Sequence, residues 1–226
     1  MAIQSFLFSR GLGHRLSILA LSAVLLASDI YFMPPPVAAA DIPASTPKGK
    51  QTAVFSGGCF WGVEAVFEHL KGVSEVVSGY SGGKAATANY ETVSSGQTGH
   101  AESVKITYDP SQISYSQLLK VFFLVAHDPT QLNRQGPDWG TQYRSVIFFA
   151  NSEQQRAAQA YISQLNKDHL FRQPIVTQLT PLSNFYAAED YHQNFIARNP
   201  NYPYVLVNDV PKLKQLREQF PAMYKN

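Results

Sequence analysis

A single cysteine, Cys59, is the feature that most limits how this 226-residue chain can hold itself together. One thiol closes no disulfide within the chain and completes no CxxC zinc site. The fold must rest on a hydrophobic core of its own. The material is present: 45% of the residues are hydrophobic, 12% aromatic and 15% charged, against a usual charged share of ~25%. That balance excludes a largely disordered chain. The 14 Gly and 14 Pro follow no period, which excludes collagen-like and low-complexity classes. A formal charge of +2 offers no clustered basic face, so no nucleic-acid partner is expected. Three fates stay open for the thiol: an inert buried side chain, a reactive nucleophile, or half of an intermolecular bridge.

The first 40 residues read as a leader. Arg10, His14 and Arg15 precede an apolar run over residues 16–32, interrupted by Ser17, Ser22, Ser28 and Asp29. Pro34-Pro35-Pro36 and then Val37-Ala38-Ala39-Ala40 follow. A basic segment, an apolar segment and a small-residue site, in that order, make a secretory signal peptide, with cleavage before Asp41. A retained membrane anchor is the alternative, but 17 residues with an acidic interruption fall short of the ~20 needed to span a bilayer. The expected product is one near-neutral domain over residues 41–226, exported to a periplasm, a lumen or the exterior.

Within that domain, residues 52–56 (TAVFS) predict a strand and residues 62–70 a helix, with Val63, Val66, Phe67 and Leu70 on one face. Residues 79–100 are rich in Gly, Ser, Thr and Asn and predict a long loop, a kind that is usually functional or disordered. A half-buried strand follows over 103–108. Ser114 and Gln117 form a capping box for a helix carrying Leu118, Leu119 and Phe122. Residues 133–142 predict a second polar loop, 143–150 a strand, and Ser152 with Gln155 a cap for a helix bearing Ala158, Tyr161, Ile162 and Leu165. A strand over 175–180 and a last helix over 213–220, with Pro211 near its start, complete the pattern. Strands interleaved with helices predict a mixed sheet with helices packed on it, in the α/β or α+β class.

Cys59 falls where the first strand turns into the first helix. Unpaired backbone N–H groups and the helix dipole favour an anion there, which predicts a thiol pKa lowered into the ~3.5–7.5 range. The flanking glycines permit close approach, and Phe60 and Trp61 would form an apolar wall. An inert buried Cys among aromatic neighbours is the alternative. Glu102, at the junction of the long loop and a strand, is either a surface charge or a buried acid with a raised pKa that can give a proton. Tyr80 opens the first loop, and Asp138 and Tyr143 close the second; loops beside strand ends are where sites are commonly built.

In order along residues 50–205, the chain carries Gly57-Gly58-Cys59-Phe60-Trp61-Gly62-Val63-Glu64, Gly79-Tyr80-Ser81-Gly82-Gly83, Thr98-Gly99-His100-Ala101-Glu102 and Asp109-Pro110. His127-Asp128-Pro129-Thr130, Asn133-Arg134-Gln135-Gly136, Gly140-Thr141-Gln142-Tyr143-Arg144-Ser145 and Ala188-Glu189-Asp190-Tyr191-His192-Gln193 follow. This ordered set resembles peptide methionine sulfoxide reductase of type A. The resemblance implies an α+β two-layer sandwich with a mixed sheet, related to the ferredoxin-like plan, and no metal or organic cofactor. It implies reduction of the S epimer of methionine sulfoxide, free or in peptides. Cys59 would attack the sulfoxide sulfur, Phe60 and Trp61 would hold the S-methyl group, and Glu102 would protonate the oxygen. Tyr80 and Tyr143 would hydrogen-bond to that oxygen, and Asp138 would support the loop and polar substrate contacts. The chemistry is coherent: a soft thiolate beside a neutral carboxylic acid serves a group that is apolar at its methyl and basic at its oxygen.

Many members carry a second cysteine. Here Ser94 stands in one of its frequent places, and residues 201–226 contain none. The chain therefore resembles the one-cysteine form, in which an outside thiol (glutathione, glutaredoxin or a thioredoxin-like protein) must reduce the Cys59 sulfenic acid. Two other classes compete: a Cys–His hydrolase using His100, His127 or His192 as base, and a module that binds oxidised methionine peptides without turnover.

Overall fold

The computed structural model describes residues 49–225. The leader assigned to residues 1–40 lies outside them. In chain order the elements are β1 (Gln51–Ser56), α1 (Phe60–Glu68), β2 (Val73–Ser81), α2 (Tyr90–Val93), β3 (Ala101–Tyr108), α3 (Tyr115–Val121), β4 (Arg134–Gln135), β5 (Asp138–Trp139) and β6 (Val146–Phe149). Then come α4 (Ser152–Lys167), β7 (Gln178–Pro181), β8 (Phe185–Ala187), α5 (Phe195–Arg198), α6 (Pro203–Asn208) and α7 (Val210–Gln219). No helix among the described residues is long and apolar enough to cross a membrane.

Six strands form one sheet in the order β7-β6-β1-β3-β2-β8. β6 and β7 run parallel, while β1–β3, β1–β6, β2–β3 and β2–β8 are antiparallel. This is the mixed sheet of the expected α+β class. Alternation along the strands sorts the side chains. Ala53, Phe55, Val104, Ile106 and Ile147 face one side, where they join Val63, Val66 and Phe67 of α1, Leu118 and Leu119 of α3, Ala158, Ile162 and Leu165 of α4, and Leu216 of α7 in one core. Val54, Ala101, Val146 and Phe148 face the other side, where the half-buried Leu182 and Phe185 pack against them. The helices thus form a second layer on one face. In β3 the even-numbered residues point into that layer, which aims Glu102 beneath the start of α1.

One of the two expected caps and both apolar stripes hold. Ser114 and Gln117 make both bonds of the capping box, worth about 1 kcal/mol for the serine. The stripes Val63, Val66, Phe67, Leu70 and Ala158, Tyr161, Ile162, Leu165 are buried. Several boundaries move. α1 begins at Phe60 rather than at residue 62. The loop expected over 79–100 yields its first residues to β2, the nine-residue strand that hydropathy missed. Gly79 there obscures the pattern, and the reason is contact: a Cβ on it would lie 2.3 Å from the Tyr186 carbonyl of β8. The second loop contains the β4–β5 hairpin. Residues 141–143 make a tight turn before β6, so Tyr143 stands off the strand. α4 is capped by Asn151, whose side chain accepts from Gln154 N at 2.9 Å, not by Ser152. A carboxamide one residue earlier reaches that orphan N–H from extended backbone.

The cap placement is testable. Asn151→Ala should lower unfolding free energy in urea by about 1 kcal/mol, and Ser152→Ala by less than about 0.5 kcal/mol. The reverse order would refute the assignment.

Candidate active site

The site forms where β1, α1 and β3 meet. Gly58, in the turn between β1 and α1, has φ +93°, a backbone that other residues rarely adopt, and a Cβ there would lie 2.5 Å from Cγ of Gln135. Cys59 then occupies the N-cap position of α1, its side chain making no capping bond. The capping acceptor comes from across the chain: Glu102 Oε2 accepts the Phe60 N–H at 3.0 Å. This one bond sets strand β3 against the helix start and brings carboxyl and thiol to one place.

Both open onto a cavity of about 210 Å³ lined by Cys59, Phe60, Trp61, Tyr90, Glu102, Asp138, Tyr143, Tyr202 and Tyr204. Pockets for drug-sized ligands usually span ~300–1,000 Å³, so this one suits a single side chain. Its walls are aromatic. Trp61 stacks on Phe195 with centroids 3.7 Å apart and planes 6° from parallel. The rings of Tyr202 and Tyr204 meet it edge-on at 6.2 and 6.0 Å. Trp61 Nε1–H donates to His192 Nδ1 at 3.1 Å. The Tyr204 hydroxyl donates to Asp138 Oδ2, which fixes that carboxylate at the cavity edge.

Burial dominates the electrostatics. Glu102 is 2% exposed, and desolvation, helped by the charge of Asp138, pushes its pKa to about 8 against the opposing Phe60 N–H bond. At neutral pH the carboxyl is mostly protonated. The Cys59 thiol is pushed well above the ordinary range, first by burial and then by Glu102, Asp209 and Asp138, with the Trp61 backbone N–H pulling the other way. This corrects the lowered pKa expected from the helix start. The helix N–H group does act on the sulfur, but desolvation and three nearby carboxyls outweigh it. When Glu102 is neutral its contribution to that rise disappears, so the two protons are linked. Asp138 is itself raised by burial, moderated by Tyr204 and Lys212. Burial likewise raises Tyr143, with the charges of Glu102, Asp138 and Cys59 adding.

Six of the seven residues singled out from the sequence line this cavity: Cys59, Phe60, Trp61, Glu102, Asp138 and Tyr143. Tyr80 does not. It is fully buried, and its hydroxyl donates to Glu189 Oε2 at 2.8 Å. The phenol of the segment 79–100 that lines the cavity is Tyr90, at the start of α2. Tyr80 and Tyr90 are the two aromatics of the polar segment 79–100; Tyr80 is drawn into β2, and that strand was the missed element. Tyr202 and Tyr204, flanking Pro203, were also missed. Rings beside a proline at a helix start were the available signal.

None of the three histidines proposed as a hydrolytic base lines the cavity. His100 accepts from Gly83 N at 3.2 Å and lies 3.0 Å from the Lys84 carbonyl. His127 is held by the Phe122 carbonyl at 2.9 Å and Ser145 Oγ at 2.7 Å, and burial lowers its pKa to about 4. His192 receives Trp61. A Cys–His dyad is absent among the described residues. Nor do these residues hold a group of three or more His, Cys, Asp or Glu placed to bind a metal.

Known proteins resemble this chain over most of its length. The family model described as peptide methionine sulfoxide reductase matches residues 51–224. The chain is 60% identical over 176 residues to peptide methionine sulfoxide reductase MsrA 2 of Mesorhizobium japonicum, covering 78% of this chain and 90% of that protein. It is 53% identical over 207 residues to MsrA 2 of Synechocystis sp., covering 92% and 97%. Among solved structures, methionine sulfoxide reductase A of Corynebacterium diphtheriae superposes with a TM-score of 0.59 at 34% identity, over 76% of this chain and 85% of that one. Reduced Mxr1 of Saccharomyces cerevisiae gives 0.61 at 32% identity, over 69% and 89%.

Two measurements check the electrostatics. Alkylation of Cys59 by iodoacetamide should titrate above the range of a free thiol, and Glu102→Gln should shift the midpoint down by removing a nearby negative charge. An unchanged midpoint would separate the two groups. Folding should also take up a proton at Glu102, ordinarily 4.5 and here about 8, and at Glu64, raised by burial and the charge of Glu68 to about 7. Raised carboxyls lose stability as pH rises. Unfolding free energy should therefore fall between about pH 4.5 and 8 through these groups. Glu102→Gln should match the unsubstituted protein near pH 4 and exceed it at pH 9; equal pH slopes would refute the assignment.

Proposed function

This chain belongs to the peptide methionine sulfoxide reductase family, and we propose that it reduces the S epimer of methionine sulfoxide, free or in peptides, through Cys59. The observation that carries the reading is the convergence of a thiol and a neutral carboxylic acid on one aromatic cavity sized for a single side chain. The activity is that of a peptide-methionine (S)-S-oxide reductase, a repair enzyme for oxidised proteins.

The residues divide the work as follows. Phe60 and Trp61 form the slot for the S-methyl group, since an apolar methyl gains most against ring faces. Glu102 gives its proton to the sulfoxide oxygen, which makes the sulfur electrophilic. Tyr143 and Tyr90 donate to the same oxygen; Tyr90 takes the place that the sequence pattern assigned to Tyr80. Asp138, held by Tyr204, accepts from polar groups of the substrate. Cys59 Sγ bonds to the sulfoxide sulfur and its own proton passes to Glu102. In that adduct the hydroxyl moves from the substrate sulfur to Sγ: the substrate sulfur–oxygen bond and the new sulfur–sulfur bond break, an Sγ–oxygen bond forms, methionine leaves as the reduced thioether, and Cys59 is left as a sulfenic acid. The free-enzyme thiol is protonated, so both protons that the step moves are already in the site.

With one cysteine, the sulfenic acid is resolved from outside. An external thiol condenses with it, releasing water and leaving a mixed disulfide, and a second thiol frees Cys59. Glutathione, glutaredoxin and a thioredoxin-like protein are the candidate reductants. The basic–apolar–small-residue order of residues 1–40 supports an exported site of action.

Without added thiol, one methionine should form per enzyme, with dimedone labelling Cys59. Cys59→Ser should form none. Glu102→Gln should slow this single turnover by about 10²–10⁴-fold. Tyr90→Phe should slow it by about tenfold, the cost of one lost hydrogen bond, and Tyr80→Phe by less than about threefold. Equal reduction of the R epimer, or methionine formation by Cys59→Ser, would overturn the proposal. Binding with no methionine product would leave a recognition module.

A further inference from the structure

Asp209 and Lys212 take no part in the scheme above, yet they pack against the helix turn that follows Cys59. Asp209 ends α6 and begins α7, and it is 1% exposed. Its side chain makes no capping bond to its own helix. It faces α1 instead: a Cβ on Gly62, in the first turn of α1, would overlap the Asp209 carboxylate and lie 2.8 Å from Nζ of Lys212. Lys212, its side chain 19% exposed, donates to Asp209 Oδ1 at 3.2 Å. Asp209 Oδ2 is buried with no partner among the described residues. A buried pair of this kind adds little to stability, because the cost of taking two charges out of water offsets their attraction. Its place beside the site calls for another account.

Asp138, on the cavity edge, supplies one. The Tyr204 hydroxyl donates to its Oδ2, so a substrate donor is left Oδ1. That oxygen accepts well only while the carboxyl is ionised: protonation would put the proton on Oδ1, away from the Tyr204 donor, and turn the acceptor into a donor. Burial favours protonation there, and the Tyr204 hydroxyl and the Lys212 ammonium oppose it. We propose that Lys212 is a positioning residue for sulfoxide reduction: held by Asp209 against the first turn of α1, its ammonium keeps Asp138 a carboxylate that accepts from polar groups of the bound substrate. The role rests on the reductase reading given above. Other ionisable groups also feel this pair. Asp209 is raised by burial, with Lys212 opposing. His127, lowered to about 4 by burial and by the ammonium, is neutral above that pH. The charge of Asp209 reaches Cys59 and Tyr204, both raised first by burial and so uncharged in acid. Glu102 titrates near pH 8. Around the pair, Asp138 and Asp209 are thus the groups that change charge in mildly acidic solution.

The test uses the full chain and an S-sulfoxide peptide, without added thiol. The peptide concentration that gives half the maximal single-turnover rate is measured from about pH 4 to 7.5. In the unsubstituted protein it should rise as acid protonates Asp138. Lys212→Met keeps the apolar stem and deletes the charge. It should move that rise to a pH about one unit higher and leave the maximal rate at pH 7.5 within about threefold. Lys212→Arg should restore the profile. Asp209→Asn keeps an oxygen for the ammonium and deletes the negative charge, so the rise should stay in place or move to lower pH. A pair that only holds α6 and α7 together would be damaged alike from either side. In an Asp138→Asn background, Lys212→Met should change the half-saturating concentration by less than about twofold at every pH. An unmoved profile in Lys212→Met, the same shift in Lys212→Arg, an upward shift in Asp209→Asn, or a full Lys212→Met effect without Asp138 would each overturn the proposal. Should Lys212→Met fail to fold, Lys212→Gln against Lys212→Arg carries the same decision. A parent protein that forms no methionine from the S epimer would instead refute the reductase reading, and carboxyl NMR of Asp138 in the same variants would still decide whether Lys212 governs its ionisation.

Discussion

The bond from the Phe60 N–H to Glu102 Oε2 is the constraint on which the site depends. It satisfies an orphan donor at the start of α1 with a carboxyl from β3, and so sets the helix against the sheet at the point where the reactive sulfur emerges. One N–H bond is too little to keep a carboxylate ionised in so dry a place, and the acid stays protonated near neutrality. A carboxylate with two or three such donors would be a far weaker acid catalyst. The same contact thus caps a helix, places an acid beside a nucleophile and sets the acid's protonation.

The free thiol is consequently held in reserve. Burial and the surrounding carboxyls disfavour the thiolate, which limits reaction with stray oxidants, since oxidation follows thiolate character. Transfer of the Glu102 proton to a bound oxygen leaves a carboxylate ready to take the thiol's proton. Activation and substrate binding become one event. A helix start alone would have made Cys59 acidic at all times; the closed pocket makes its activation conditional.

The absence of a second cysteine also has a structural counterpart. Ser94 ends α2, exposed, with its hydroxyl donating to the Tyr90 carbonyl at 2.7 Å, so this position serves the helix that carries a cavity tyrosine. The chain's end is pinned rather than free: Leu70 pairs with Tyr224, and the N–H of Lys225 donates to the His69 carbonyl at 2.8 Å. Neither region offers a thiol to the sulfenic acid, and recycling falls to molecules from outside.

Much of this was legible in the residues. Cys59 between two glycines and two aromatics marked the nucleophile's place, Ser114 with Gln117 marked a helix start, and the stripes of α1 and α4 marked the core, because each signal lies within one or two helical turns. Glu102, Asp138 and Tyr143 received their roles through a resemblance, since each taken alone reads first as a surface or structural residue. Hydropathy could not find β2, where Ser78 and Gly79 are small for packing reasons imposed by neighbouring strands and loops. Nor could it choose between Tyr80 and Tyr90, since the choice depends on which phenol β2 pulls into the sheet. The sequence by itself determined which atoms could do the chemistry, for reactivity is a property of side chains. Only the tertiary structure decided their protonation, their orientation and the identity of the phenols that meet them, because desolvation and convergence arise from residues as far apart as 61 and 192.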